Sequence, residues 1–175
     1  MQATCPTAAC AVPHGKKLQA KENRKALREY KDKNKTLSQR AKEAQSAINK
    51  YVRLRDHFKP CVSCGIEYQN NKFGGLFDCG HYRARGSANH LRFNLHNMAK
   101  QCVRCNRDLS SNSINYRIEL INRIGLDKVE ALESDNTIRK FDADYLIRIK
   151  RIFNKKARMR EKRIVEYGDQ ENNGL

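Results

Sequence analysis

Two Cys-x-x-Cys pairs, Cys61-Val-Ser-Cys64 and Cys102-Val-Arg-Cys105, stand 37 residues apart in a chain of 175. Two such pairs supply four thiolates, the tetrahedral set that a structural Zn²⁺ requires. A two-residue spacer lets both sulfurs of a pair point to one centre from a tight turn. Metal–sulfur bonds can then replace a core that this segment is too polar to build. Seven cysteines, an odd number, with no basic n-region or long apolar h-region at the N-terminus, suggest a reducing, cytoplasmic compartment. There, this spacing points to metal or redox chemistry rather than to disulfides. Cys79, between the pairs, reads as a strand side chain rather than a ligand.

The charge balance sets the partner. Thirty-six Lys and Arg against nineteen Asp and Glu leave a formal net charge of +17, and the sequence pI is about 9.8. Such a charge attracts polyanions and opposes compaction, so nucleic acid is the first partner to consider and an anionic membrane surface the second. No apolar run approaches the roughly 18 residues of a spanning helix, and no membrane insertion is expected.

Composition divides the chain. Residues 1–14 hold Cys5, Cys10 and His14 without any Asp, Glu, Lys or Arg, which suits a loop or partial zinc knuckle lacking a fourth ligand. Residues 15–58 are rich in basic residues and helix formers, with no proline, and predict a long basic helical arm. Leu27, Tyr30, Asn34, Leu37, Ala41, Ala44, Ile48 and Tyr51 recur in steps of three and four, a weak heptad seam. That seam either docks the helix on the domain or serves as a candidate homodimer interface. Residues 59–112 carry the cysteines and most of the glycines and histidines, and form the candidate core of the site. Residues 113–167 turn helical again. Ile114, Ile118, Leu120 and Ile121 form an apolar stripe ending at Gly125, a short helix is expected over 127–132, and Asp142 is placed to cap a longer one. The polar tail, 168–175, is expected to be unstructured.

Between the knuckles, residues 76–83 (Leu-Phe-Asp-Cys-Gly-His-Tyr-Arg) alternate enough to form a strand. Asp78 and His81 are three residues apart, so a regular strand puts them on opposite faces, and only a kink or bulge at Gly80 brings both to one pocket. Asn106 follows the last knuckle cysteine. His81 offers a base, Asp78 a carboxylate and Asn106 an amide oxygen, a set suited to phosphodiester hydrolysis with one hard cation, Mg²⁺ or Mn²⁺. Arg83, Arg85 and Arg92 are candidates for holding phosphates. His90 and His96 are either further ligands or surface histidines. The competing reading is that a lone histidine in a zinc domain is structural and the Asp a turn residue.

The order Cys-x-x-Cys, Asp-x-Gly-His, Asn97, Cys-x-x-Cys-Asn106 resembles a ββα-metal HNH nuclease, in the HNN form similar to that of phage junction-resolving endonucleases. The longer runs CVSCG, DCGHYRARG, LRFNLHNMAKQCVRCN and INYRIELINRIG resemble the bacteriophage NinG (Rap) recombination proteins over roughly residues 45–165. The resemblance implies an α+β fold, a treble-clef, ββα-metal HNH-like zinc domain flanked by long basic helices. It also implies structure-specific cleavage of branched DNA, such as Holliday junctions and D-loops, in the host cytoplasm. By it, His81 is the general base, Asp78 and Asn106 bind the catalytic metal, Asn97 ties the strand to the loop, and Cys61, Cys64, Cys102 and Cys105 hold structural zinc. The acid or histidine that often directly precedes the base in such motifs is here Gly80. The alternative function is a non-catalytic zinc-dependent module that binds DNA or RNA through the same basic helices.

Overall fold

The fold is built around a short antiparallel hairpin, β1 (Phe77–His81) and β2 (Met98–Cys102). The computed structural model describes residues 8–67 and 76–173, with side chains described within 14–67 and 76–166. Helices α1 (Ala8–Lys33) and α2 (Leu37–Arg55) precede the hairpin, and α3 (Ser113–Ile124), α4 (Leu126–Ser134) and α5 (Ala143–Asn173) follow it. The result is a helix-rich α+β architecture. Two compact units are formed, Met1–Gln39 and Arg40–Leu175.

In the second unit the hairpin is the middle layer. Cys79 and Met98 face one core with Ala44, Ile48 and Val52 of α2 and Leu146 and Phe153 of α5. Ala99, on the opposite face, joins Tyr116 and Leu120 of α3 and Val129 and Leu132 of α4. A two-stranded ribbon is marginal alone, and burial on both faces supplies what its own hydrogen bonds cannot. The end of α2 is pinned to β2 by charge. Buried Asp56 receives the Arg55 guanidinium (2.6 and 2.9 Å) and the Lys100 amide (3.1 Å). Arg55 also donates to the Met98 carbonyl at 2.8 Å. Burial alone would raise the Asp56 pKa, but these donors outweigh it and hold the carboxyl below its usual range.

Several expectations are corrected. The arm predicted over 15–58 is two helices, and the first begins at Ala8, inside the stretch expected to be a loop or knuckle. Cys5 lies outside the described residues, as does the side chain of Cys10, while His14 is exposed. The break lies at 34–36, where the Asn34 side chain donates to the Tyr30 carbonyl (2.8 Å). Thr36 and Gln39 then exchange backbone–side-chain bonds of 2.9 and 3.2 Å, a capping box that starts α2. The heptad seam is therefore not one continuous interface. Ala44 and Ile48 are buried in the chain's own core, whereas Leu27, Tyr30 and Leu37 are exposed.

On α3 the inward residues are Tyr116 and Leu120; Ile114 and Ile118 are 77% and 57% exposed. Helix α4 and the Asp142 cap of α5 (Tyr145 N to Oδ1, 2.7 Å) form as expected. Helix α5 runs on to Asn173, over residues expected to be an unstructured tail. Among the described residues, no helix is long and apolar enough to cross a membrane.

Gly80 has a packing reason to be glycine. A Cβ there would lie 2.2 Å from Oε1 of Gln101, a buried side chain held by bonds from its Nε2 to Ser63 Oγ (2.7 Å) and the Ser111 carbonyl (2.6 Å). Gly80→Ala should therefore destabilise the fold by about 1–3 kcal/mol through overpacking. In denaturant unfolding, Gln101→Ala in the same chain should recover part of that loss. Strictly additive effects of the two changes would contradict the contact.

Candidate functional site

The four knuckle cysteines come together. Their sulfurs all lie within 4.8 Å of one another, with Cys64 Sγ and Cys102 Sγ 3.7 Å apart. Zinc–sulfur bonds of about 2.3 Å require sulfurs roughly 3.8 Å apart at tetrahedral geometry, so this donor set fits such an ion. The first pair sits in a tight loop closed by Gly65 N to Cys61 O (3.0 Å), with Gly65 at φ +69°. That loop lies along β2, because Val62 N donates to the Lys100 carbonyl at 3.1 Å. Cys102 N (3.2 Å) and Ser63 N (3.5 Å) donate to Cys61 Sγ. Burial opposes the Cys61 thiolate, but these N–H groups outweigh it and keep its pKa below the ordinary thiol value. Cys79 is separate, buried in the α2–α5 core, and burial pushes its thiol up to about 12.

The second pair does not lead directly into a long helix. It enters one five-residue turn of π-helix, Arg104–Asp108. Ser110, Ser111 and Asn112 then take left-handed φ values of 48°, 71° and 40° before α3 begins. Such a run is costly for non-glycine residues. The bonds from Gln101 and Ser63 (3.4 Å) to the Ser111 carbonyl help to hold it.

Asn106, on that turn, donates Nδ2 to Asp78 Oδ2 at 3.0 Å. Arg107 adds a two-pronged pair to the same carboxylate at 2.8 and 3.1 Å. Partial burial alone would raise the Asp78 pKa, but Arg107 and Asn106 hold it below the usual carboxylate range. Asn97 is fully buried. Its Oδ1 accepts from Arg83 N (2.8 Å), and its Nδ2 donates to the Arg83 (3.0 Å) and Leu91 (3.4 Å) carbonyls. It thereby ties the start of β2 to the segment leaving β1.

His81 belongs to a different cluster. Strand pairing is one-to-one from Phe77↔Cys102 to His81↔Met98, with no bulge at Gly80. His81 therefore shares the Cys79 face, and Asp78 the opposite one. Three residues of strand also separate them by about 10 Å. The single Asp78–His81 pocket that a bulge would have made is not formed. His81 is 8% exposed. Its Nε2 lies 3.3 Å from the Arg92 carbonyl and 3.4 Å from Gln45 Nε2, whose amide is aligned by Arg92 Nε (3.2 Å) and Asn49 Oδ1 (2.8 Å). The Arg92 carbonyl can only accept and favours the ring hydrogen on Nε2 with the lone pair on Nδ1, whereas the Gln45 amide nitrogen can only donate and bonds Nε2 in the other tautomer. Burial, aided by the positive charges of Arg85 and Arg92 against the opposing pull of that carbonyl, lowers the His81 pKa to about 4.

The three candidate arginines separate. Arg85 is exposed and Arg92 half-buried, both charging the surroundings of His81. Arg83 instead caps α4, donating to the carbonyls of Leu132 (2.8 Å), Glu133 (3.2 Å) and Asp135 (2.7 Å). His90 is turned to the Asp135 carbonyl (2.6 Å), and His96 is exposed. Gln45 and Arg107 are neighbours that the sequence reading missed. Gln45 had a signal, a polar residue inside the stripe Ala41, Ala44, Ile48; Arg107 had none beyond its place after Asn106.

These features define a class: a helix-rich α+β protein whose central hairpin is flanked by a four-cysteine cluster able to bind a metal such as zinc. The comparisons make the assignment specific. The family described as "Bacteriophage Lambda NinG protein" matches residues 7–163, and the chain belongs to that family. "Protein ninG" of Escherichia phage lambda is 39% identical over 117 residues, covering 67% of this chain and 55% of that protein. Its counterparts in Escherichia phage 933W (39%, covering 67% and 56%) and Salmonella phage P22 (38%, covering 67% and 55%) are similar. The chain thus spans a little over half the length of the curated relatives it matches. No solved structure matches it.

The depressed His81 pKa has a thermodynamic consequence. An unfolded histidine titrates near 6.5, so between about pH 6.5 and 4 the unfolded state binds the extra proton. Stability contributed by neutral His81 is then present above pH 6.5 and lost as pH falls towards 4. In urea titrations across this range, His81→Gln should flatten the acid loss of stability by roughly 3 kcal/mol relative to wild type. Parallel curves for the two proteins would contradict the assigned burial.

Proposed function

We propose that the chain is a metal-dependent endonuclease that acts on branched DNA, with a ββα-metal, HNH-like centre stabilised by zinc. The observation that carries the reading is the order of parts around one hairpin. A neutral histidine ends β1, Asn97 locks the loop beside it, and the four-cysteine cluster sets Asn106 against Asp78. The net charge of +17 supports a phosphate-rich substrate, which such proteins hold by counterion release. The preference for branches is inferred from the resemblance to phage recombination proteins.

In this reading Cys61, Cys64, Cys102 and Cys105 hold the zinc. Nδ1 of His81 takes the proton of the attacking water, the imidazole being neutral at physiological pH. Arg85 and Arg92 hold a phosphate beside it, and a bound phosphate would raise the His81 pKa towards a more effective range. Asp78 and Asn106 are the residues that would hold Mg²⁺ or Mn²⁺. When bound, that ion would stabilise charge on the cleaved phosphate and the leaving oxygen. The fit there is partial: one carboxylate and one amide, with Arg107 across the carboxylate. Mg²⁺ commonly completes so sparse a set with waters and substrate oxygens.

A specific observation favours a second reading, a DNA- or RNA-binding module without catalysis. Arg107 closes Asp78, and His81 lies on the other face of β1. Cleavage of a labelled four-way junction, beside a linear duplex of the same arms, separates the two. The nuclease reading predicts junction cutting with Mg²⁺ or Mn²⁺ and none without added metal, slowed roughly 10²- to 10⁴-fold by His81→Ala. Tight binding without cutting under any metal would leave the binding module.

A further inference from the structure

Apart from the hairpin site, the second unit carries a cleft of about 440 Å³, within the roughly 300–1,000 Å³ common for ligand sites. Its wall is aromatic. Phe141 and Tyr145 stack with ring centroids 5.3 Å apart and planes 22° apart, and Phe93 meets Phe141 edge-on at 5.0 Å. Phe93 is buried, while Phe141 and Tyr145 are only half-buried. The rim is cationic: Arg139, Lys140 and Arg148 line the opening, all exposed, and the Arg148 guanidinium lies 5.7 Å from the Tyr145 ring. Asp142 is the acid in the lining, and its carboxylate is engaged in capping α5.

We infer that this cleft binds an unpaired nucleotide of a DNA strand, its base against Tyr145 and Phe141 and its phosphates on Lys140 and Arg148. An aromatic cluster serving the core alone needs no ring of cations around an open face. The combination of a planar apolar wall and a positive rim matches a nucleobase and its phosphates. A paired base keeps its faces inside the duplex stack, so the cleft selects a nucleotide that has left it, and stacking of this kind is tolerant of base identity. The location couples it to the hairpin: Phe93 directly follows Arg92, whose carbonyl faces His81 at 3.3 Å. The inference rests on the reading that the chain binds DNA, and it identifies the feature of a branch that is recognised.

The test uses the full chain without added divalent cation, so that no cleavage is required. A forked duplex carries 2-aminopurine as its first unpaired nucleotide, and a continuous duplex carries it paired. Wild type and Tyr145→Phe should quench the emission of the fork. Tyr145→Leu should abolish the quench and bind the fork roughly 5- to 100-fold more weakly, with duplex affinity unchanged. Lys140→Ala with Arg148→Ala, both at exposed positions, should likewise weaken fork binding more than duplex binding. Should Tyr145→Leu fold poorly, this pair decides the matter. Equal losses on fork and duplex, or a wild type that does not quench, would overturn the inference. Junction cleavage without fork quenching would overturn this site alone; fork quenching without junction cleavage would overturn the nuclease alone.

Discussion

Everything near the hairpin depends on the closure of four sulfurs around one point. Sequence-distant segments, 61–65 and 102–105, meet there, and each cysteine pair positions something other than a ligand. The first loop lies along β2 through Val62 N and the Lys100 carbonyl. The second starts the short helical turn that sets Asn106 and Arg107 on Asp78. A two-stranded sheet with apolar helices on both faces could slide or fray. A metal held by the four thiols would cross-link its end and remove that freedom, much as metal binding and folding are one step in small zinc domains.

The same hairpin keeps two sets of polar groups apart. Half-buried Asp78 and Asn106 form a charge-balanced group with exposed Arg107 on one face. His81 sits on the other, buried between α2 and the Arg92 carbonyl with cations nearby. The first favours an anionic carboxylate and the second a neutral imidazole, so both groups titrate below their ordinary values and both are deprotonated at neutral pH. Their separation along β1 is what weighs towards a binding role, and substrate would have to bridge them.

Much of this was legible in the residues. The Cys-x-x-Cys spacing announced the sulfur cluster, the alternation around Cys79 announced β1, and Asp142 announced the start of α5. Other features were hidden because they depend on tertiary neighbours. Nothing local tells that Arg83 will cap α4 forty-nine or more residues away rather than face a phosphate. The stripe on α3 misled because Ile114 and Ile118 point outward while Tyr116, whose hydroxyl donates to the Gly80 carbonyl at 3.2 Å, faces the hairpin. The break before α2 was readable, since Thr36-Leu37-Ser38-Gln39 is a capping box, but the heptad pattern ran through it and obscured it.

Metal content joined to amide exchange tests the central claim most directly. Native mass spectrometry of the full chain should find one zinc bound. Stripping it with a chelator should remove amide protection from 77–81 and 98–102 together. A chain that binds no zinc, or a hairpin that stays protected after the metal is gone, would contradict the account.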